Sequence, residues 1–174
     1  MARNKSTNYL APLLFSATLS ISAGLLFWIQ PLIGKTLLPL LGGAPAVWNT
    51  CLLFFQSMLL LGYVYALAST RWISLRAQAA LHVFLVLLTA IYVFRFPAYT
   101  PVLTALQQKN PTLWLLKTLL FSVGLPFFTI SATSPLLQSW FSRLRHHRAV
   151  DPYFLFSASN AGSLIALMVI VKRV

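Results

Sequence analysis

Five long apolar stretches alternate with short polar or basic segments along the chain. They occupy residues 9–29, 46–69, 77–94, 112–137 and 153–171. A helix rises about 1.5 Å per residue, so about 20 apolar residues cross the roughly 30 Å of bilayer hydrocarbon. Inside lipid each backbone polar group must be paired within its own segment, and these stretches lack the period-2 alternation of strands. The pattern predicts an all-α, polytopic integral membrane helix bundle that forms a single transmembrane domain.

Tryptophans support these predicted span ends, because indole favours the headgroup boundary over the bilayer centre. Each of the five tryptophans falls at or just beyond a predicted end: Trp28, Trp48, Trp72, Trp114 and Trp140. The first stretch continues past Pro31 into residues 32–41, which is too long for the core of a cleaved signal peptide. We therefore expect it to be retained as a membrane anchor.

We expect residues 32–41 to form a re-entrant or interfacial turn between the first two helices, because Pro31, Pro39 and two glycines interrupt this part of the sequence. Lys35 lies in this segment, and its ammonium group is expected to reach lipid headgroups or an anionic ligand. The sequence Gly34-Lys35-Thr36 is similar to the end of a phosphate-binding loop. The glycine that such a loop requires five positions earlier is replaced by Ile29, so no nucleotide site is predicted.

Two stripes of small residues predict close helix packing, since membrane helices associate through small side chains and a few polar contacts. One stripe lies in the first span and the other in the fifth: Ser16, Ser20 and Gly24, and Ala158, Gly162 and Ala166. The stripes either pack within the chain or form a dimer interface. Asp151 and Pro152 are suited to the start of the fifth helix, as an N-cap followed by a first-turn proline.

Polar residues within the predicted spans are candidates for a polar pathway or for interhelical contacts. The candidates are Lys35, Gln56, Ser131 and Asn160. Pro126 removes one backbone donor from the fourth helix, which indicates either a kink beside a small polar cavity or plain interhelical packing. The isolated His82 is expected to bond a neighbouring helix.

Composition and charge narrow the possible functions. The 174 residues are 59% hydrophobic and carry 13 Lys and Arg against one acidic residue, Asp151, for a net charge of +12. The sequence shows no nucleophile–base pair, metal-ligand cluster or cofactor motif, so a non-enzymatic protein without a cofactor is expected. The basic residues are dispersed around an apolar body, which argues against nucleic acid binding, and the positive charge should repel polyamines.

One basic cluster, Arg143, Arg145 and Arg148, is expected to contact anionic lipids and favours a cytoplasmic N-terminus.

Three motifs resemble the membrane portion of bacterial membrane-bound spermidine synthase-like proteins, in which a major-facilitator-like part is fused to a synthase domain. They are PLIGKTLLPLLGGAPAVW at 31–48, GLPFFTISATSPLLQSWF at 124–141 and DPYFLFSASNAGS at 151–163. In that family a soluble Rossmann-like domain carries the catalysis after the spans. The 174 residues contain no Gly-rich turn or acidic pair of that kind, so the resemblance implies no catalytic residue here.

Two functions remain as hypotheses for a multi-pass protein of the bacterial inner membrane. The first is a non-enzymatic subunit or scaffold that packs against other membrane proteins or anchors a separately encoded soluble partner. The second is a small homo-oligomeric transporter or half-transporter for a neutral or anionic solute. Membrane lipids, especially anionic ones, are expected partners in both cases.

Overall fold

A computed structural model describes residues 7–41, 44–95, 110–144 and 153–172, and every regular element within these ranges is a helix. We number the helices α1 (Thr7–Leu40), α2 (Pro45–Trp72), α3 (Leu75–Arg95), α4 (Pro111–Ser142) and α5 (Tyr153–Lys172). Each is long and apolar enough to cross a membrane. The prediction of an all-α, multi-pass membrane bundle is therefore confirmed.

The segment after the first predicted span differs from its prediction. Residues 32–40 do not form a re-entrant turn but continue α1, with Pro12, Pro31 and Pro39 inside the helix. Each proline removes a single backbone donor, whereas ending the helix within the hydrocarbon would leave several backbone groups without partners. Continuing the helix is thus the less costly arrangement in a membrane.

The length of α1 also corrects the placement of one tryptophan. Trp28 lies in the interior of α1, where it is partly buried, and not at a helix end. The other four, Trp48, Trp72, Trp114 and Trp140, lie close to the ends of α2 and α4. These four positions agree with the preference of the indole side chain for a membrane–water boundary.

Helix α4 is the central element, since it packs against α1, α2 and α3. Its apolar contacts with α1 and α2 bury one continuous cluster: Leu37, Cys51, Phe54, Phe55, Leu115, Leu119, Val123 and Phe127. α2 runs parallel to α4, and α3 runs antiparallel to it. α3 and α5 lie at the edges of the bundle, with α5 packed mainly on α1.

Pro126 produces a local change of helix type within α4. The helix is α-helical over Pro111–Leu119, π-helical over Leu120–Gly124 and α-helical again over Leu125–Ser142. Pro126 has no N–H to donate to the carbonyl of Ser122, and its ring would crowd that carbonyl in a regular turn. The wider π turn directly before Pro126 accommodates both effects, so α4 stays continuous through the proline.

The closest approach between helices joins α1 and α5, which run parallel. Gly162 lies against the backbone of Ser20, and a Cβ on Gly162 would overlap the Ser20 carbonyl. The Ser20 hydroxyl donates to the carbonyl oxygen of Ala158. A Cβ on Gly24 would lie 3.2 Å from the Gly162 carbonyl oxygen and 3.8 Å from the Ala166 side chain. The absence of side chains at the two glycines is what lets these backbones touch.

This contact predicts that Gly162→Ala destabilises the bundle. The added methyl group gains about 1 kcal/mol of helix propensity, but it must push α5 away from the Ser20 backbone, and overpacking of this kind costs about 1–3 kcal/mol. We expect a net loss of unfolding free energy, measured by denaturant titration in detergent micelles. Gly124→Ala is the matched control, because its methyl would meet only the flexible end of Leu120 at 3.2 Å. Equal stability of the two variants would contradict the α1–α5 contact.

Candidate functional site

Polar side chains collect where α3 packs against α4 and α2. The only α3 residues fully buried in the described part of the chain are Gln78 and His82, and both are polar. We call this interface the polar seam, formed by Tyr65 of α2, Gln78, His82 and Thr89 of α3, and Thr129, Thr133 and Trp140 of α4. Its residues run from the α2–α3 turn towards the middle of the membrane.

Gln78 is the outermost member of the polar seam and joins three helices. Its Oε1 accepts a 2.9 Å hydrogen bond from the indole Nε1–H of Trp140. Its Nε2 donates a 2.6 Å hydrogen bond to the carbonyl oxygen of Ile73, directly after α2. The side chain is fully buried, and these two bonds satisfy both ends of its amide. They hold the end of α2, the start of α3 and the end of α4 together.

The hydrogen bonds of His82 determine its tautomer. His82 Nε2 lies 3.1 Å from the Thr133 hydroxyl oxygen, and that hydroxyl donates its single proton to the Thr129 carbonyl at 2.9 Å. The arrangement that satisfies both hydrogen bonds has Thr133 accepting from the histidine, with the proton assigned to Nε2. In the neutral ring, Nδ1 is then a bare acceptor.

A threonine pair continues the polar seam deeper into the bundle. The hydroxyls of Thr89 and Thr129 are 2.9 Å apart, and Thr129 donates its proton to the Leu125 carbonyl at 2.9 Å. Because Thr129 has a single hydroxyl proton and uses it in this bond, the arrangement that satisfies both bonds has Thr89 donating to Thr129. Thr129 and Thr133 thus each donate a hydrogen bond to a carbonyl of α4 and accept one from a side chain of α3.

Two buried polar atoms of the polar seam lack a protein partner, namely the hydroxyl of Tyr65 and Nδ1 of His82. Their rings are stacked with centroids 6.3 Å apart, and the Trp140 ring stands edge-on to His82 at 6.1 Å. Tyr65 offers a donor and His82 an acceptor, which suits a small neutral group that carries both functions. An unpaired buried polar atom is costly in hydrocarbon, so a small polar group that bonded these two atoms would lower that cost.

The predicted polar candidates divide into one interior residue and three outward-facing ones. Ser131 is buried, donates to the Phe128 carbonyl at 2.7 Å, and fills the space left by Gly62 of α2, where a Cβ would overlap its hydroxyl. Lys35, Gln56 and Asn160 lie on exposed faces. For these three the prediction of a polar pathway or of interhelical contacts stays a prediction, because hydropathy shows that a residue lies in a span but not which side of the helix it occupies.

The predicted packing and lipid residues are placed as follows. Ser20, Gly24, Ala158, Gly162 and Ala166 meet between α1 and α5, and Ser16 is half-buried on α1. Arg143 follows α4 directly and donates from Nη2 to the Thr70 carbonyl at 3.1 Å. The other predicted positions of that loop, Arg145, Arg148, Asp151 and Pro152, lie outside the described residues.

Sequence reasoning missed most of the polar seam, although it expected His82 to bond a neighbour, and Thr133 is that neighbour. A usable signal was present in the spacing. Gln78 and His82 are four residues apart, and Thr89 follows after seven more, so all three share one face of α3. Thr129 and Thr133 repeat the four-residue spacing on α4. The hydrophobicity of both helices masked this pattern.

Comparison with known proteins adds no family assignment. No protein-family model, curated protein or solved structure matches this chain. The resemblance to membrane-bound spermidine synthase-like proteins therefore stays a prediction, and function is inferred from the geometry of the described residues.

The hydrogen-bond pattern predicts opposite effects for two substitutions in the polar seam. Thr133→Val leaves the Nε2–H of His82 unpaired and should lower the unfolding free energy in detergent by about 1–3 kcal/mol. Tyr65→Phe removes a hydroxyl that has no protein partner, so stability should stay equal or rise. Thr18→Val is the control, since the Thr18 hydroxyl bonds only its own helix on an exposed face. A loss in Tyr65→Phe as large as that in Thr133→Val would reveal a guest bound to Tyr65.

Proposed function

We propose that the protein is a non-enzymatic subunit or scaffold of the bacterial cytoplasmic membrane that packs against partner membrane proteins. The observation that carries this proposal is the outward placement of two amide side chains, Gln56 and Asn160, on membrane-spanning helices. The bacterial location rests on the resemblance of the three motifs. The single acidic residue of the sequence, Asp151, supports a role without carboxylate acid–base chemistry.

Gln56 lies at the centre of the outward face of α2. It is exposed, and at 100° per residue the exposed Leu52, Leu53, Leu60 and Tyr63 surround it on the same face. It follows the start of α2 by eleven residues, which places it about 17 Å along a helix about 42 Å long. Gln56 is thus an amide near the middle of the helix within a mostly apolar surface.

Asn160 is the second such amide and lies on α5. It is exposed, and Phe156, Leu164 and Leu167 flank it on the outward face. It lies about 10 Å along α5 from Tyr153, well inside the span. Since α5 packs mainly on α1, this face has no neighbour among the described helices.

An amide that faces lipid tails is unfavourable, because transfer of such a group from water to an apolar environment costs about 2–7 kcal/mol. A partner helix that offers a hydroxyl or amide recovers part of this, about 0.6–2 kcal/mol for each interhelical hydrogen bond. A soluble partner could not reach either side chain at this depth. The two amides therefore favour a membrane-spanning partner.

Native mass spectrometry of the protein extracted from its own membrane in mild detergent tests this proposal. We expect a second polypeptide at fixed stoichiometry with the wild-type chain. Gln56→Leu combined with Asn160→Leu should release it, because the hydrogen bonds that hold the partner are lost while the apolar shape is kept. Asn110→Leu is the matched control, since this exposed amide precedes α4 and makes no capping hydrogen bond.

Two results would contradict the proposal. One is a wild-type chain that carries only lipid. The other is a double variant that keeps its partner in full.

The polar seam supports a second candidate, a homo-oligomeric transporter of a neutral or anionic solute. Tyr65 and His82 offer an unpaired donor and acceptor next to α4, whose π turn is a type of irregularity frequent at functional sites.

If the protein is such a transporter, purified protein in liposomes should take up solute, and Tyr65→Phe with His82→Phe should reduce the uptake several-fold. The exposed Gln56→Leu should leave it unchanged. If uptake is the same with and without the substitutions at Tyr65 and His82, a pathway through the polar seam is excluded.

A further inference from the structure

Three arginines from three different helices reach the same end of the bundle. Arg71 lies in the last turn of α2, Arg76 is the second residue of α3, and Arg143 directly follows α4. All three side chains are exposed. We call this group the arginine corner; the sequence alone had associated Arg143 only with its own loop.

Hydrogen bonds hold the three helix ends of the arginine corner in place. Arg143 Nη2 donates to the carbonyl oxygen of Thr70, the residue before Arg71. Gln78, two residues after Arg76, bonds both Ile73 and Trp140. A guanidinium group has five N–H donors, so Arg143 keeps donors for a ligand after its bond to Thr70. These bonds hold together the helix ends that carry the three arginines.

The charge of the arginine corner cannot be balanced within the chain. The sequence carries one acidic side chain, Asp151, against 13 Lys and Arg, and the described residues contain no Asp or Glu. A single carboxylate can pair with at most one of the three guanidinium groups. Most of the positive charge of the arginine corner is therefore unpaired within the given sequence and attracts anions.

The surroundings of the arginine corner indicate which anion. The guanidinium fork matches the oxygens of a phosphate group. Trp72, at the end of α2, is 79% exposed, and the indole ring favours the headgroup region of a bilayer. Leu75 and Leu144 add exposed apolar surface next to Arg76 and Arg143. Phosphate-binding cations beside apolar surface at a membrane boundary suit an amphiphile.

We propose that Arg71, Arg76 and Arg143 form a binding site for the phosphate group of an anionic phospholipid, with Trp72 against its glycerol and acyl region. The site lies about 22 Å along α2 from Gln56, at the end of the bundle, so lipid retention there is measured separately from release of the proposed protein partner. A lipid with two phosphates brings twice the negative charge to the same three arginines and should bind more tightly than a lipid with one.

Lipid retention by the purified chain tests the site. The detergent-solubilised protein is incubated with phosphatidylglycerol, its two-phosphate dimer cardiolipin, or phosphatidylcholine, and bound lipid is measured by native mass spectrometry. A basic residue near an anionic surface contributes roughly fivefold in affinity. Arg71→Gln with Arg76→Gln should therefore reduce retention of the two anionic lipids by at least about tenfold and leave phosphatidylcholine unchanged. This double variant keeps the Arg143–Thr70 hydrogen bond, so the fold is preserved.

Adding Arg143→Gln should reduce retention further. The matched control removes three exposed charges from the opposite end of the bundle, with Arg95→Gln, Lys117→Gln and Lys172→Gln. We expect this control to stay within about twofold of the wild type. An equal loss in the control would show general charge attraction and overturn the site. Inorganic phosphate that displaces the lipid at equal concentration would assign the corner to a free anion instead.

Discussion

Helices that leave lipid for one another gain no hydrophobic energy, so a membrane bundle depends on close packing and on hydrogen bonds between its helices. The α1–α5 contact shows the first of these. Gly24 and Gly162 carry no side chains that would separate the two backbones, and the Ser20 hydroxyl reaches across to Ala158. The same device recurs between α2 and α4, where Gly62 makes room for the hydroxyl of Ser131.

Hydrogen bonding attaches α3, which buries little apolar surface. Gln78 and His82 are its fully buried residues, and both bond α4 side chains. The same bonds fix the geometry at the α2–α3 turn, since Gln78 also holds the Ile73 carbonyl. Attachment of α3 and the positions of Arg71 and Arg76 thus have one physical cause. Most polar atoms of the polar seam form hydrogen bonds that hold the helices together. The Tyr65 hydroxyl and His82 Nδ1 are its buried polar atoms without a protein partner.

The outer surface of the bundle offers two kinds of contact. Along the spans it is covered mainly by exposed Leu, Ile, Val and Phe, which suit lipid tails, and the polar exceptions include the amides of Gln56 and Asn160. At the end where α2 and α4 finish, arginines and an exposed Trp72 suit a headgroup layer. The proposed protein contact and the proposed lipid contact therefore lie at different depths, because hydrogen bonding matters most within hydrocarbon and charge matters most at its boundary.

Hydropathy and span length alone determined the number of membrane-spanning helices among the described residues, their type and their approximate ends, because the bilayer requires about 20 apolar residues and internally paired backbones. The prediction was wrong at residues 32–40. The prolines were expected to end the first helix there, but α1 continues to Leu40. The side that each polar residue faces was decided only by tertiary structure. Ser131 turns inward and Gln56 outward, although both are polar residues in apolar spans. The convergence of Arg71, Arg76 and Arg143 likewise follows from helix pairing, since residues far apart in sequence become neighbours only when α2, α3 and α4 pack together.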